Sequence, residues 1–222
     1  MPARLFVLLL LFAAACAGSR PAASPGSPPP RVDTALQAKL EALVEGFRGD
    51  VGVYVRHLPT GRTAAVRADT LFPTASMIKV PLLVATFDAI ERGVLDYLDE
   101  LVYRDSLLYA GVDLLGSFRD GEKVELSKVV TLMATMSDNT ASLWIQGLVG
   151  GASVNEWLAA RGFEHTRVNS RVEGRRGDWE QYGWGQSTPR EMARLLVTVS
   201  EVRAGDEAAA AALPAMTAAL LA

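Results

Sequence analysis

Apolar residues recur along the chain with two different periods. From Val32 to Phe47, the residues Leu36, Leu40, Leu43 and Val44 return every three or four positions, which gathers them on one face of a helix. From Gly49 to His57 the period falls to two. Val51, Val53 and Val55 then share one face of a strand, with Tyr54 and Arg56 on the other. Leu58-Pro59-Thr60-Gly61 is a turn signal, and Ala64 to Ala68 pairs back as the second arm of a hairpin. From Ala75 to Val202 the chain reads mainly as helices. Pro73-Thr74 opens one that runs to about Arg92, with Thr74 as N-cap, and Glu125 to Met136, Thr140 to Val149 and Ser153 to Ala160 give three more. Gly162 to Ser187 is polar and has poor periodicity. It ends at Thr188-Pro189-Arg190-Glu191, a capping box with proline at the first helical position, and the helix that follows runs to about Val202. A lone hairpin is marginal in water. Either it leans on the helices or its sheet has further strands.

The two ends follow neither period. Arg4 precedes the apolar run Leu5 to Ala15, which is too short to span a bilayer, and Ala13, Ala14 and Ala15 precede Cys16. A positive end, an apolar run and a small-residue cleavage site read as a secretory signal over residues 1–15. Gly18 to Pro30 is rich in Pro, Ser, Gly and Ala, so residues 16–31 read as an extended spacer and 32–222 as one domain. About 190 residues are enough for a single core. The last residues, Ala209 to Ala222, are nearly all Ala and Leu. Charge changes little: 22 basic against 25 acidic groups give −3, which suggests neither nucleic acid nor an anionic membrane surface as partner. Cys16 is the only cysteine, so no intramolecular disulfide forms.

Candidate chemistry narrows quickly. The only histidines are His57 and His165, and no G-x-S-x-G elbow supports a Ser-His-Asp arrangement. No H-E-x-x-H or C-x-x-C pattern supplies zinc ligands, and no glycine loop of the nucleotide-binding kind is present. The base of a hydrolase here is a lysine or a carboxylate. Ser76-Met77-Ile78-Lys79 offers one, because residues three apart on a helix share a face. A serine needs a neighbouring base to attack, and a desolvated lysine loses its proton near neutral pH. In the first turn of a helix, unpaired N–H groups favour negative charge, and the Ser76 N–H is one donor for a developing oxyanion. Pro81 removes one backbone donor and bends the helix.

Farther along stands Ser137-Asp138-Asn139, between one helix and the next. S-x-x-K followed by S-D-N resembles the motif set of class A β-lactamases and penicillin-binding serine hydrolases. The resemblance extends from about Leu36 to the chain end, through Phe72-Pro73-Thr74-Ala75-Ser76 and the Thr188-Pro189-Arg190-Glu191-Met192 helix start. It implies an α+β fold of the β-lactamase and transpeptidase type: a largely helical half, an N-terminal hairpin, and further strands of the sheet lying beyond this chain. No Lys-Thr-Gly or Lys-Ser-Gly follows Ser137, which the resemblance reads as a chain that stops before that strand. It also implies an acyl-enzyme route. Ser76 attacks the lactam carbonyl, Lys79 or Glu173 takes the proton, Ser137 passes one to the leaving nitrogen and Asn139 binds the substrate amide. Asp138 braces the loop.

The polar segment occupies the place of the family's Ω-loop, which carries a deacylating glutamate with an asparagine four positions on. Counting forward from Ser137 puts Glu173 in the glutamate's place; counting back from Pro189 puts Val172 there. Neither register supplies the asparagine. The resemblance implies no metal or organic cofactor, a β-lactam or peptidoglycan-peptide-like substrate, and a monomer. Ala13-Ala14-Ala15-Cys16 resembles a lipoprotein box, which makes Cys16 a lipid anchor in the bacterial cell envelope; a cleaved, soluble periplasmic form is the competing expectation. Two other readings stay open, a penicillin-binding D,D-peptidase and a catalytically inactive envelope lipoprotein.

Overall fold

The computed structural model describes residues 28–109, 111 and 113–203. The expected export signal, Cys16, most of the spacer and Ala209 to Ala222 lie outside the described residues. The fold is α+β. Three strands form an N-terminal sheet: β1 (Arg31–Val32), β2 (Val53–His57) and β3 (Arg62–Val66), in the order β1-β3-β2. The antiparallel pair β2-β3 is the expected hairpin, with Val55 opposite Ala64 and its second arm starting at Arg62. The Gly61 N–H donates to the His57 carbonyl at 2.8 Å, and Gly61 takes the positive φ that this turn requires. The parallel strand β1 makes the sheet three-stranded, and at two residues it is too short to show alternation.

Helix α1 (Thr34–Val44) lies on this sheet. Asp33 caps it, accepting the Leu36 N–H at 3.1 Å. The Gln37 side chain ties it to β3, donating to the Ala65 carbonyl at 2.8 Å and accepting the Ala65 N–H at 2.9 Å. The expected apolar face is only partly used. Leu36, Leu40 and Val44 are half-buried, but Leu43 is 76% exposed, and no residue of α1 is fully buried.

The core sits in the helical half. Helix α2 (Lys79–Glu91) buries nine of its thirteen residues, because it is apolar on nearly every side and packs against α3 (Leu126–Thr135), α4 (Asn139–Val149) and α5 (Gly151–Ala160). Phe87, Leu82, Val129, Met133, Ile145 and Leu158 fill the space between these helices. These elements match the sequence expectation to within a residue or two, except that α2 starts late and α5 starts early.

Two small sheets hold the loops. β4 (Phe72–Pro73), β7 (Arg167–Val168) and β8 (Gly185–Ser187) form one, in the order β4-β8-β7; β5 (Glu100–Val102) and β6 (Lys123–Glu125) form the other. The polar segment is therefore ordered, with β7, a short helix α6 (Arg176–Tyr182) and β8 in it. It lacks a hydrophobic period because polar side chains from neighbouring helices grip its backbone. Asn155 both donates to and accepts from Val168, and Gln146 donates to the Ser170 carbonyl. Helix α7 (Pro189–Arg203) is capped by Thr188, whose hydroxyl accepts the Glu191 N–H at 3.1 Å. Only half of the expected capping box forms. The Glu191 carboxylate accepts from the Glu164, His165 and Thr166 N–H groups and from the Thr166 hydroxyl.

Candidate active site

Ser76 does not stand in the first turn of an α-helix. Ala75 to Ile78 form one 3-10 turn, and α2 begins at Lys79. The expectation of a continuous helix from Thr74 is corrected, and so is Thr74 as N-cap: its side chain makes no capping bond, and its hydroxyl is buried without a partner. Pro81 accounts for the switch. It has no N–H to offer the Met77 carbonyl, so the ring is accommodated where α2 starts rather than inside a longer helix.

Neighbouring strands fix the turn. The Thr74 N–H donates to the Gly185 carbonyl at 3.0 Å, beside the pairing of Phe72 with Ser187. Gly185 has no room for a side chain: a Cβ there would lie 2.5 Å from Ile78 Cδ1 and 2.9 Å from the Arg167 carbonyl oxygen. Ala75 and Ser137 both adopt positive φ, at 46° and 56°. Such geometry costs non-glycine residues about 1–3 kcal/mol and persists where the surroundings over-determine it. Here it flanks the nucleophile on one side and presents a second hydroxyl on the other.

The two motifs meet at Lys79, which is buried at 6% exposure. Its Nζ lies 3.4 Å from Ser76 Oγ, 2.8 Å from Ser137 Oγ, 2.5 Å from the Ser137 carbonyl oxygen and 2.8 Å from Asn139 Oδ1. The Ser137 hydroxyl donates to Ser76 Oγ at 3.0 Å, closing a triangle of two hydroxyls and an amine. Burial pushes the Lys79 amine below its usual value, against the opposing carboxylates of Asp113 and Asp138. Three acceptors, the Ser137 hydroxyl, the Ser137 carbonyl and Asn139 Oδ1, lie within 2.8 Å of Nζ and match the three donors of an ammonium, while burial eases loss of a proton to give the neutral base. Ser76 and Ser137 are themselves exposed, so an incoming molecule reaches both. Asp138 takes the Ala141 N–H at 2.7 Å and the Leu115 N–H at 3.1 Å, which is the bracing its place at the helix start requires.

Ser76 and Asn139 open on a cleft of about 450 Å³, walled by Tyr109 and by residues 181–184. Glu173 is not part of that wall. It is exposed and lines a neighbouring cavity of about 690 Å³ with Asn169, Arg171 and Trp179. Tyr109 and Trp184, packed edge to face at 5.1 Å, border both spaces. Val172, the residue of the other register, lies against the start of α5, where a Cβ on Gly151 would sit 2.6 Å from its Cγ2. Ser76, Lys79, Ser137 and Asn139 are thus brought together, and Glu173 lines the adjoining cavity rather than their cleft. Tyr109 and Asp113 carry no motif in the sequence, and Thr140 and Trp184 stand there only as a helix start and as part of the polar segment. Trp184 shares the segment with Phe163, Trp179 and Tyr182, so its aromatic character alone does not single it out.

Known proteins resemble this chain in sequence and in fold. VEB-1, a β-lactamase from Pseudomonas aeruginosa, is 24% identical over 165 residues, covering 73% of this chain and 55% of its own. A β-lactamase regulatory protein, BlaB of Streptomyces cacaoi, is 31% identical over 138 residues, covering 61% and 44%. The chain spans about half the length of these curated relatives. Among solved structures, a PBP-A mutant in an acyl-enzyme complex with penicillin G superposes with a TM-score of 0.73 at 28% identity, covering 86% of this chain and 68% of that one. The family described as "Beta-lactamase enzyme family" matches residues 35–219, and with the Ser76-Lys79-Ser137 triangle already in place the chain belongs to that family.

Proposed function

We propose that the protein is a serine hydrolase of the class A kind that opens β-lactam rings through an acyl-enzyme at Ser76. The observation that carries this reading is the position of Lys79 Nζ, within 3.4 Å of the Ser76 hydroxyl and 2.8 Å of the Ser137 hydroxyl. Neutral Lys79 takes the Ser76 proton as Oγ bonds to the lactam carbonyl carbon. The tetrahedral species collapses with cleavage of the C–N bond. Its nitrogen takes the Ser137 proton, and Ser137 regains one from the Lys79 ammonium. Asn139 accepts or donates at the substrate amide. Water then hydrolyses the Ser76 ester and frees the acid. The test is covalent labelling of the purified protein with a fluorescent penicillin. One label at Ser76, absent in Ser76→Ala and strongly slowed in Lys79→Ala, is expected. No label, or a label elsewhere, overturns the reading.

A second reading concerns how long the ester lasts. No carboxylate among the described residues lines the Ser76 cleft, and Glu173 lines the adjoining cavity that shares Tyr109 and Trp184 with it. That arrangement favours an acyl-enzyme that forms and persists, as in a penicillin-binding peptidase. Rapid turnover of a chromogenic cephalosporin selects the hydrolase; stable stoichiometric labelling selects the peptidase. The proposal also puts the protein in the cell envelope with lipid on Cys16, tested by loss of metabolic palmitate labelling in Cys16→Ala.

A further inference from the structure

We infer that Asp113 is a positioning residue for this site, clamping the start of α4 and the Tyr109 backbone so that Asn139 and the Tyr109 ring keep their places around Ser76. The inference rests on the acylation reading for its effect on rate, and on geometry alone for the clamp. Asp113 Oδ2 accepts the Thr140 N–H at 2.8 Å and the Thr140 hydroxyl at 3.0 Å. The same Thr140 hydroxyl accepts the Tyr109 N–H at 3.0 Å. One carboxylate thus joins two loops through one threonine, and Thr140 is fully buried, so water does not compete for these bonds.

The clamp adjoins the reacting groups on both sides. Thr140 directly follows Asn139, whose Oδ1 receives a hydrogen bond from Lys79 Nζ. Tyr109 walls the Ser76 cleft and meets Trp184 edge-on at 5.1 Å. A shift of either residue changes where a substrate amide sits relative to the Ser76 hydroxyl, and a misplacement of about 1 Å costs up to about a hundredfold in rate.

Simple helix capping does not account for Asp113. Asp138 already occupies the capping position of α4 and takes the Ala141 N–H. Asp113 takes both Thr140 donors, the N–H and the hydroxyl, from outside the helix, and the hydroxyl it orients in turn accepts the Tyr109 N–H. It also acts on the amine. Of the charges facing Lys79, Asp113 opposes the effect of burial most and Asp138 next; the other groups in contact with it, Ser76, Ser137 and Asn139, are neutral.

Two variants separate these contributions. In Asp113→Asn an oxygen remains to accept both Thr140 bonds while the charge is gone. Hydrogen exchange at the Tyr109 and Thr140 amides is expected to stay slow, and the rising limb of the acylation rate against pH is expected to move to lower pH, because neutral Lys79 is reached sooner. In Asp113→Ala both amides are expected to exchange about tenfold faster or more, relative to the rest of α4. The rate of labelling by fluorescent penicillin is expected to fall about tenfold to a hundredfold. Unchanged exchange at both amides in Asp113→Ala overturns the clamp. An acylation profile that stays at the wild-type pH in Asp113→Asn, together with a lower melting temperature in Asp113→Ala and an unchanged labelling rate, reduces Asp113 to an ordinary structural contact and overturns its role in positioning. If the wild-type protein takes no label, the acylation reading fails, while the exchange measurement still decides the clamp.

Discussion

The N-terminal sheet with α1 and the helical half around α2 are built by opposite means. Helix α1 buries no residue and is fastened by polar contacts: the Asp33 cap, the Arg62–Asp33 ion pair and the two bonds between Gln37 and Ala65. Helix α2 buries nine residues and is fastened by packing. The Ser76 triangle is anchored in the second kind of structure, with Ser76 itself in the 3-10 turn that leads into α2 and is held by β4 and β8. Lys79 opens α2, Ser137 stands in the turn between α3 and α4, and Asn139, which Lys79 also contacts, opens α4. A buried amine must be held within tenths of an ångström of two hydroxyls, and close-packed helices supply that rigidity where a half-exposed sheet does not. Damage to the helical half should therefore cost stability and site together, and damage to the sheet should cost neither in proportion.

The strongest way to test this contrast is Phe87→Ala. Phe87 is fully buried in α2 and packs against the Tyr97 ring at 5.9 Å. Its loss leaves a cavity in the middle of the core, and such truncations cost about 3–5 kcal/mol. Thermal unfolding should show a drop of that order, with loss of penicillin labelling at temperatures where the wild type is still folded. A cost under about 1 kcal/mol would mean that the helical half is not packed as described.

Glu191→Gln probes the tie between the polar segment and α7. Burial pushes the Glu191 carboxyl up, but the Thr166 hydroxyl and the N–H groups of Thr166, Glu164 and His165 outweigh it and hold the carboxyl below its usual value. A glutamine presents an NH₂ to some of these donors, so a loss of about 2–3 kcal/mol is expected. The pH dependence has a definite sign. A depressed carboxylate contributes stability that is fully present above its unfolded value and is lost as pH falls through its folded value. Denaturation curves of wild type and variant should differ most near neutrality and converge in acid. Curves that stay parallel down to low pH would remove Glu191 as the anchor.

Gln37→Ala tests the polar region. It removes two neutral side-chain bonds to Ala65, at 2.8 and 2.9 Å, and should cost about 1–2 kcal/mol. Hydrogen exchange should quicken in α1 and β3 while labelling at Ser76 keeps its wild-type rate. A parallel fall in labelling would show that the two regions are coupled.

The same division explains what the sequence revealed and what it withheld. Helices α3, α4 and α7 could be placed because their apolar faces repeat and because Asp138 and Thr188 mark two of their starts. S-x-x-K and S-D-N could be paired because each is a local motif. The split of Thr74–Glu91 into a 3-10 turn and α2 was hidden, since Pro81 is compatible with a bend, a break or a first turn. Strands β1, β4, β7 and β8 have two or three residues each, too few for alternation to register. Glu173 illustrates a different limit. Counting forward from Ser137 puts it at the family's glutamate position and counting back from Pro189 puts Val172 there, and the choice depends on the path of residues 169–174, where Arg171 and Gly174 both take positive φ. No spacing rule carries that information.

Leu43→Ser is the smallest perturbation and the most direct probe of the exposed region. The apolar spacing of α1 puts Leu43 with Leu36, Leu40 and Val44, and a residue on a packed face would cost about 2–5 kcal/mol to truncate. The structure instead leaves it 76% exposed, beside Phe47 at 62%. An exposed side chain away from caps and buried contacts is worth less than about 0.5 kcal/mol. The expected result is an unchanged melting temperature with unchanged labelling at Ser76. A cost above about 2 kcal/mol would mean that the outer face of α1 is covered in solution, and the polar fastening of this region would then be only part of what holds it.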